Sequence, residues 1–197
     1  MRTFIIRARK GTTRWDKLRS QLGGKEHFEV VAHSVINAFF LSNDFRMDVE
    51  VYIVLESSAD FPKTIRLSGN EGLSLAGFHE EAVVQLLEQA LKNSANLIKD
   101  QSRSLAPGVT VYGFGFDRLV SNLIQDRTLY ILSPKGEDIR TSTLDENPVF
   151  ILSDHLTMPK KSLNSLKSKG LKQISLGKKM LFASQCVVLL NHEFDYR

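Results

Sequence analysis

The chain of 197 residues is 42% hydrophobic and 24% charged with a net charge of +4, a balance that argues against a disordered or fibrous protein and for a buried core. Its single cysteine, Cys186, rules out an intramolecular disulfide and a zinc site built on thiolates. The most apolar stretch, Met180 to Leu190, is broken by Ser184 and Gln185 and is too short to span a bilayer, and no leader pattern opens the chain, so a cytoplasmic protein without a membrane partner is expected.

Taken in order, Thr3 to Ile6 read as a first strand and Gly11 to Lys25 as a basic, glycine-bearing connecting loop. Between Phe28 and Leu41, Val30, Val31, Val35, Ala38 and Leu41 fall close to a helical stripe. Val49 to Leu55 is a β-branched strand, and Lys63 to Leu67 another, closed by Ser68-Gly69-Asn70. Glu80 to Lys92 is the clearest helix: Val83, Leu86, Leu87, Ala90 and Leu91 share one face, acids open it and Lys92 closes it. Thr110 to Tyr112 is a short strand and Phe116 to Ile124 a helix.

The C-terminal stretch from Thr128 to Arg197 organises the rest. The runs Leu129–Leu132, Val149–Leu152 and Gln173–Leu176 each end in a polar or glycine-bearing loop, as strands buried on both faces of a parallel sheet do. Loops at the carboxyl ends of such strands are where an open α/β sheet holds a ligand. Strands alternating with helices, with no repeat or linker, predict one α/β domain over residues 1–197, with a largely parallel sheet and helices on both faces.

Local motifs exclude more than they assign. Gly113-Phe114-Gly115 lacks the third glycine of a dinucleotide fingerprint, no Walker lysine motif occurs, and nothing resembles a nucleophile elbow. His27, His33, His79, His155 and His192 show no metal-ligand spacing. Cys186, inside an apolar segment, reads as a small buried hydrophobe rather than a nucleophile. Basic residues crowd Arg2 to Arg19 and again Lys160 to Lys179; either cluster suits an RNA phosphate backbone or a plain solvated face.

The order of the blocks carries a resemblance. Ala38-Phe39-Phe40-Leu41-Ser42, Arg46-Met47-Asp48-Val49-Glu50-Val51-Tyr52 and Pro62-Lys63-Thr64-Ile65-Arg66 resemble the archaeal tRNA pseudouridine N1-methyltransferases. The likeness continues through Leu129–Leu132, Gly136-Glu137-Asp138-Ile139-Arg140, Pro148 to His155, Ile174-Ser175-Leu176-Gly177 and Cys186 to Asp195. The wider class is the trefoil-knotted SPOUT methyltransferases. The resemblance implies a C-terminal deep trefoil knot, a homodimer, and S-adenosyl-L-methionine held by Leu132, Ser153, Leu176, Gly177, Met180, Leu181 and Cys186. It implies methyl transfer to N1 of a pseudouridine in tRNA, rRNA or another structured RNA, with Arg46 contacting RNA and Asp48 orienting it or accepting a proton. Three departures from the family pattern stand out: where the family has Gly-Arg-x-Asp-x-x-x-Arg, Glu26 to His33 keeps the acid as Glu29, replaces the second arginine weakly by His33 and loses the first; Ser153 replaces a glycine; and Phe78-His79-Glu80-Glu81 replaces Pro-Asp-Glu-Arg. These keep open a different target nucleoside, or a non-catalytic RNA-binding protein that retains the knot.

Overall fold

The computed structural model describes residues 1–58 and 60–196; Ala59 and Arg197, the end of the C-terminal stretch, lie outside the described residues. The strands are β1 (Arg2–Thr12), β2 (Val49–Ser57), β3 (Lys63–Ser68), β4 (Ser102–Ala106), β5 (Val109–Tyr112), β6 (Leu129–Asp138), β7 (Val149–Ser153) and β8 (Lys172–Ser175). They form one sheet in the order β4-β5-β3-β2-β1-β7-β6-β8. Every neighbouring pair from β2 to β8 is parallel, while β3, β5 and β4 extend the other side antiparallel. The parallel character expected of the sheet thus belongs to its C-terminal side and centre.

Alternation along the strands divides the core. Phe4, Ile6 and Ala8 of β1 join Val51, Ile53 and Leu55 of β2 and Phe150 of β7 on one face; Ile5, Val54, Val149 and Ile151 point to the other. Helices α2 (Glu29–Phe39), α3 (Glu80–Asn93) and α6 (Ala183–Tyr196) cover the first face through residues such as Val35, Leu87 and Val187. The second face is covered by α4 (Phe116–Leu123) and α5 (Lys160–Ser168) through Phe116, Leu119 and Leu166. With both faces covered, both side-chain rows of β6 and β7 must be apolar where they cross the core, and so those strands read as unbroken apolar runs.

The segment expected to be a loop after Gly11 carries the end of β1, a short helix α1 (Trp15–Leu18) and a 3-10 turn, Arg19–Gln21. Buried Leu18 and the Gln21 side chain, which accepts from Thr12 N–H at 3.0 Å and donates to Lys10 O at 3.0 Å, fold it back onto β1. Helix α3 begins where its acids predict, with His79 Nδ1 accepting the Ala82 N–H at 3.2 Å.

One crossing sets the C-terminal edge. Leu132 and Glu137 of β6 both stand opposite Ile174 of β8, and the residues between them leave the regular register. Gly136 lies so close over that strand that a Cβ would sit 2.5 Å from the Ile174 carbonyl carbon. Only glycine fits there. Helix α6 then runs back across the sheet, from the loop after β8 to the amino end of β1, where Asn191 and Asp195 meet Arg2.

Candidate functional site

Parallel register brings the carboxyl ends of β6, β7 and β8 to one edge. Leu132, Leu176 and Leu181 are partly buried there against the main core, and Ser153 is half-buried. Gly177 N–H donates to Ser175 Oγ at 3.1 Å, which turns the chain sharply; its φ of +116° is one that side-chain-bearing residues rarely adopt. Nothing lies within 4 Å of the place a Gly177 Cβ would occupy, so the backbone there is open to an approaching group. Gln185 Oε1 accepts the Phe182 N–H at 3.0 Å and so satisfies one of the free donors at the start of α6. Cys186 is buried beside Val187 and Leu190, and burial pushes its thiol up to about 11, so at neutral pH it is a protonated packing group. Met180, at 84% exposed, stands out in solvent instead of lining an enclosed wall.

Arg46 and Asp48 stand at the opposite edge, beside the amino ends of β1 and β2. Phe39 stacks on Phe45 with centroids 5.2 Å apart, and Arg46 N–H donates to Phe39 O at 2.7 Å, so the short loop between them delivers Arg46 to the edge. The two residues do not pair with one another. Arg46 makes a two-pronged bridge to Asp195, with Nη1–Oδ1 at 2.7 Å, whereas Asp48 orients Arg2 through a 2.6 Å bond. Arg2 also donates to Asn191 O at 3.1 Å and to Asp195 at 3.0 Å. The Arg46 side chain is only 10% exposed and its Nε is buried without a partner, while Asp48 is 55% exposed. In one chain this cluster is remote from Gly177: the register from Thr3–Val149 to Arg7–Ser153 alone spans about 13 Å at strand rise.

Two further features escaped the sequence. A polar cleft of about 340 Å³ lies beside the ends of β1 and β2, lined by Thr12, Arg14, Lys17, Gln21 and Ser57 among others. Beside the end of β7, His155 follows Asp154 and meets His27, with the two imidazole rings edge to face at 4.9 Å. No spacing rule connects residues so far apart; the available signal was the polar Asp154-His155 pair at a strand end. Glu29, the retained acid of the altered segment, is committed locally: it accepts the Gly23 N–H at 3.2 Å and lies 3.0 Å from His27 Nδ1.

The architecture is that of a known structure. The crystal structure of Archaeoglobus fulgidus Nep1 bound to S-adenosylhomocysteine superposes with a TM-score of 0.66 over 98% of this chain and 97% of that one, at 14% identity. That likeness shows that the two chains share one fold from end to end. The chain also matches over residues 1–197 the family described as "Putative SAM-dependent RNA methyltransferase", and it belongs to that family. Among its relatives, proteins named "Putative pseudouridine methyltransferase" from Vibrio parahaemolyticus (100% of this chain, 99% of the relative) and Alcanivorax borkumensis (99% and 98%) are each 45% identical to it. One of the same name from Shewanella frigidimarina is 43% identical, with both chains covered end to end at 100%.

Proposed function

We propose that this protein is an S-adenosylmethionine-dependent RNA methyltransferase acting on N1 of pseudouridine. The observation that carries the reading is the open carboxyl edge at Gly177, in a chain whose relatives bear that enzyme's name. The residues present fit the cofactor: a side chain at residue 177 would fill the open approach, partly buried leucines supply apolar faces, and loop backbone groups supply polar edges. Leu132, Ser153, Leu176, Gly177, Leu181 and Cys186 would hold it, with exposed Met180 closing over it. Bound there, the cofactor supplies a methyl group made electrophilic by sulfonium. The chain's own task is to orient the base and exclude water.

The reading extends to the assembly. Because Arg46 and Asp48 stand at the other edge, a second copy is needed to bring them to the cofactor, so the protein works as a homodimer. Exposed Val188 and Leu189 on α6, with Phe182 just before it, form the apolar surface for that contact. RNA, from tRNA or rRNA, would release Arg46 from Asp195 onto a phosphate, while Arg14 and Lys17 of the polar cleft track the backbone. The residues fold as one domain, supported by the single continuous sheet. The crossing at Gly136 supports a trefoil knot, with β8 passing beneath the segment joining the two halves of β6. No helix among the described residues is long and apolar enough to cross a membrane, and we place the protein in the cytoplasm.

Calorimetry with S-adenosylmethionine tests the cofactor site: binding is expected in the parent and absent in Gly177→Val, and no binding by the parent at millimolar ligand refutes the reading. Mass spectrometry of RNA nucleosides from a deletion strain tests the target. Loss of N1-methylpseudouridine is expected, and an unchanged profile would point to a different nucleoside.

A further inference from the structure

Asp154 follows β7 directly, its N–H donating to Arg7 O at 3.2 Å and its Oδ1 accepting the Leu156 N–H at 2.8 Å. Its side chain is 2% exposed, and burial raises its pKa against the opposing pull of the Leu156 N–H, His155 and Arg9. His155 comes next. Its Nδ1 is buried, has no hydrogen-bond partner, and lies 3.9 Å from Asp154 Oδ2. The His155 side chain as a whole is 17% exposed, just beyond the carboxyl end of β7.

The ring is held from the other side by His27, which adopts a left-handed backbone conformation, φ +50°, rare outside glycine. A carboxylate only accepts, so the 3.0 Å contact with Glu29 puts the His27 hydrogen on Nδ1. Among the described residues, Asp154 and His27 contact His155, with Glu29 and Arg9 one step removed; Arg9 itself donates to Thr157 O at 3.1 Å. The arrangement is a buried carboxylate facing the inner nitrogen of a partly exposed imidazole. A carboxylate so placed can fix the tautomer of a histidine base once the 3.9 Å gap closes, and such pairs commonly shorten only when substrate binds.

We propose that His155 is the catalytic base that takes the N1 proton of the target pseudouridine, with Asp154 as its positioning residue. The inference rests on the function proposed above and on the position of His155 two residues beyond Ser153, beside the cofactor edge. N1 is a weak acid, and an imidazole titrates in the range where it can accept such a proton at neutral pH. As the N1–H bond gives its proton to Nε2, N1 forms its bond to the methyl carbon, and the carbon–sulfur bond breaks with its electron pair left on sulfur. The imidazolium so formed is balanced by Asp154 and returns its proton to solvent. No outside reductant or oxidant is required.

The test uses the full chain with a pseudouridine-containing RNA oligonucleotide under single-turnover conditions. His155→Gln is expected to slow transfer at neutral pH by roughly 100-fold and to lose the acid limb of the parent's pH profile, while calorimetric S-adenosylmethionine affinity is unchanged. Independently of turnover, nitrogen-15 NMR of the RNA-bound parent should place the ring hydrogen of neutral His155 on Nδ1, and Asp154→Asn should lose that preference. A His155→Gln rate within about twofold of the parent, with the acid limb kept, overturns the base assignment. A His155 tautomer unmoved by Asp154→Asn overturns the positioning role. A parent that neither binds the cofactor nor methylates RNA overturns the proposed function itself, a result recognisable before any variant is made.

Discussion

Asp195 is the single acid on which two nearly buried arginines, Arg46 and Arg2, converge. Hydrogen bonds from Arg46 first, and from Arg2 after it, hold its carboxyl below the ordinary carboxylate range. Its folded pKa therefore lies below the unfolded one, so its stabilisation is complete above the unfolded value and fades as pH falls through the folded one. Asp195→Asn should lower stability in urea by about 1–3 kcal/mol at pH 7, since it leaves buried guanidinium without an anion while Asp195 itself is partly solvent-screened. The gap from the parent should narrow below roughly pH 4; a constant gap would mean the charge is not what is lost. Cys186 shifts the other way. With its thiol raised to about 11 by burial, it should resist iodoacetamide at pH 8 until urea is added. Its stabilisation is present below the unfolded thiol value, about 8.5, and is lost as pH rises from there toward the folded one. Rapid alkylation of the native protein would contradict this burial.

At the scale of elements, what the sequence made legible follows from periodicity. Strands β2, β6 and β7 and helix α3 announce themselves because each buries a repeating set of side chains. Strand β4 does not: Ser102, Arg103 and Ser104 are exposed, and its place is fixed chiefly by backbone pairing to β5, with Arg103 donating to Asn93 O at 3.1 Å and Leu105 touching the core. Nor does α5, a lysine- and serine-rich helix that buries only Leu166 and is tied to β1 by Arg7 donating to Ser162 Oγ at 3.1 Å. At the site, the resemblance pointed to the residues around Gly177, which lie at one edge, but sequence gave no hint that Asp48 serves Arg2 or that His27 meets His155, because both contacts join distant segments. Two glycines separate local strain from long-range fit. Gly136→Ala forces a Cβ into the Ile174 backbone and should sharply reduce the yield of soluble, folded protein. Gly177→Ala meets no atom, so it should fold, with a thermal midpoint lowered by the roughly 1–3 kcal/mol that a disfavoured φ costs. Equal behaviour of the two would refute the crossing as described.

At the scale of the molecule, the two candidate edges face apart, and this makes the assembly testable. Light scattering should give twice the monomer mass, falling to the monomer for a Val188→Glu, Leu189→Glu double variant. If each site draws Arg46 from one copy and Gly177 from the other, mixing inactive Arg46→Ala with inactive Gly177→Val should restore a fraction of the activity. A site complete within one chain would give none. The core supports such a rigid scaffold: both faces of the sheet are covered, so the two edges are held at fixed separation rather than by loops.

The crossing at Ile174 also sets an order in time. The strand lying under Gly136 is followed directly by Gly177 and then by α6, so all of these are synthesised after β6 and β7. On the knotted reading, the amino-edge half of the molecule can form during synthesis, whereas β8 must still be drawn beneath the β6 segment once its own sequence exists. On that reading the edge proposed for the methyl donor is assembled after the strands it rests on, so a chain stopped before β8 would have its sheet begun and lack that edge.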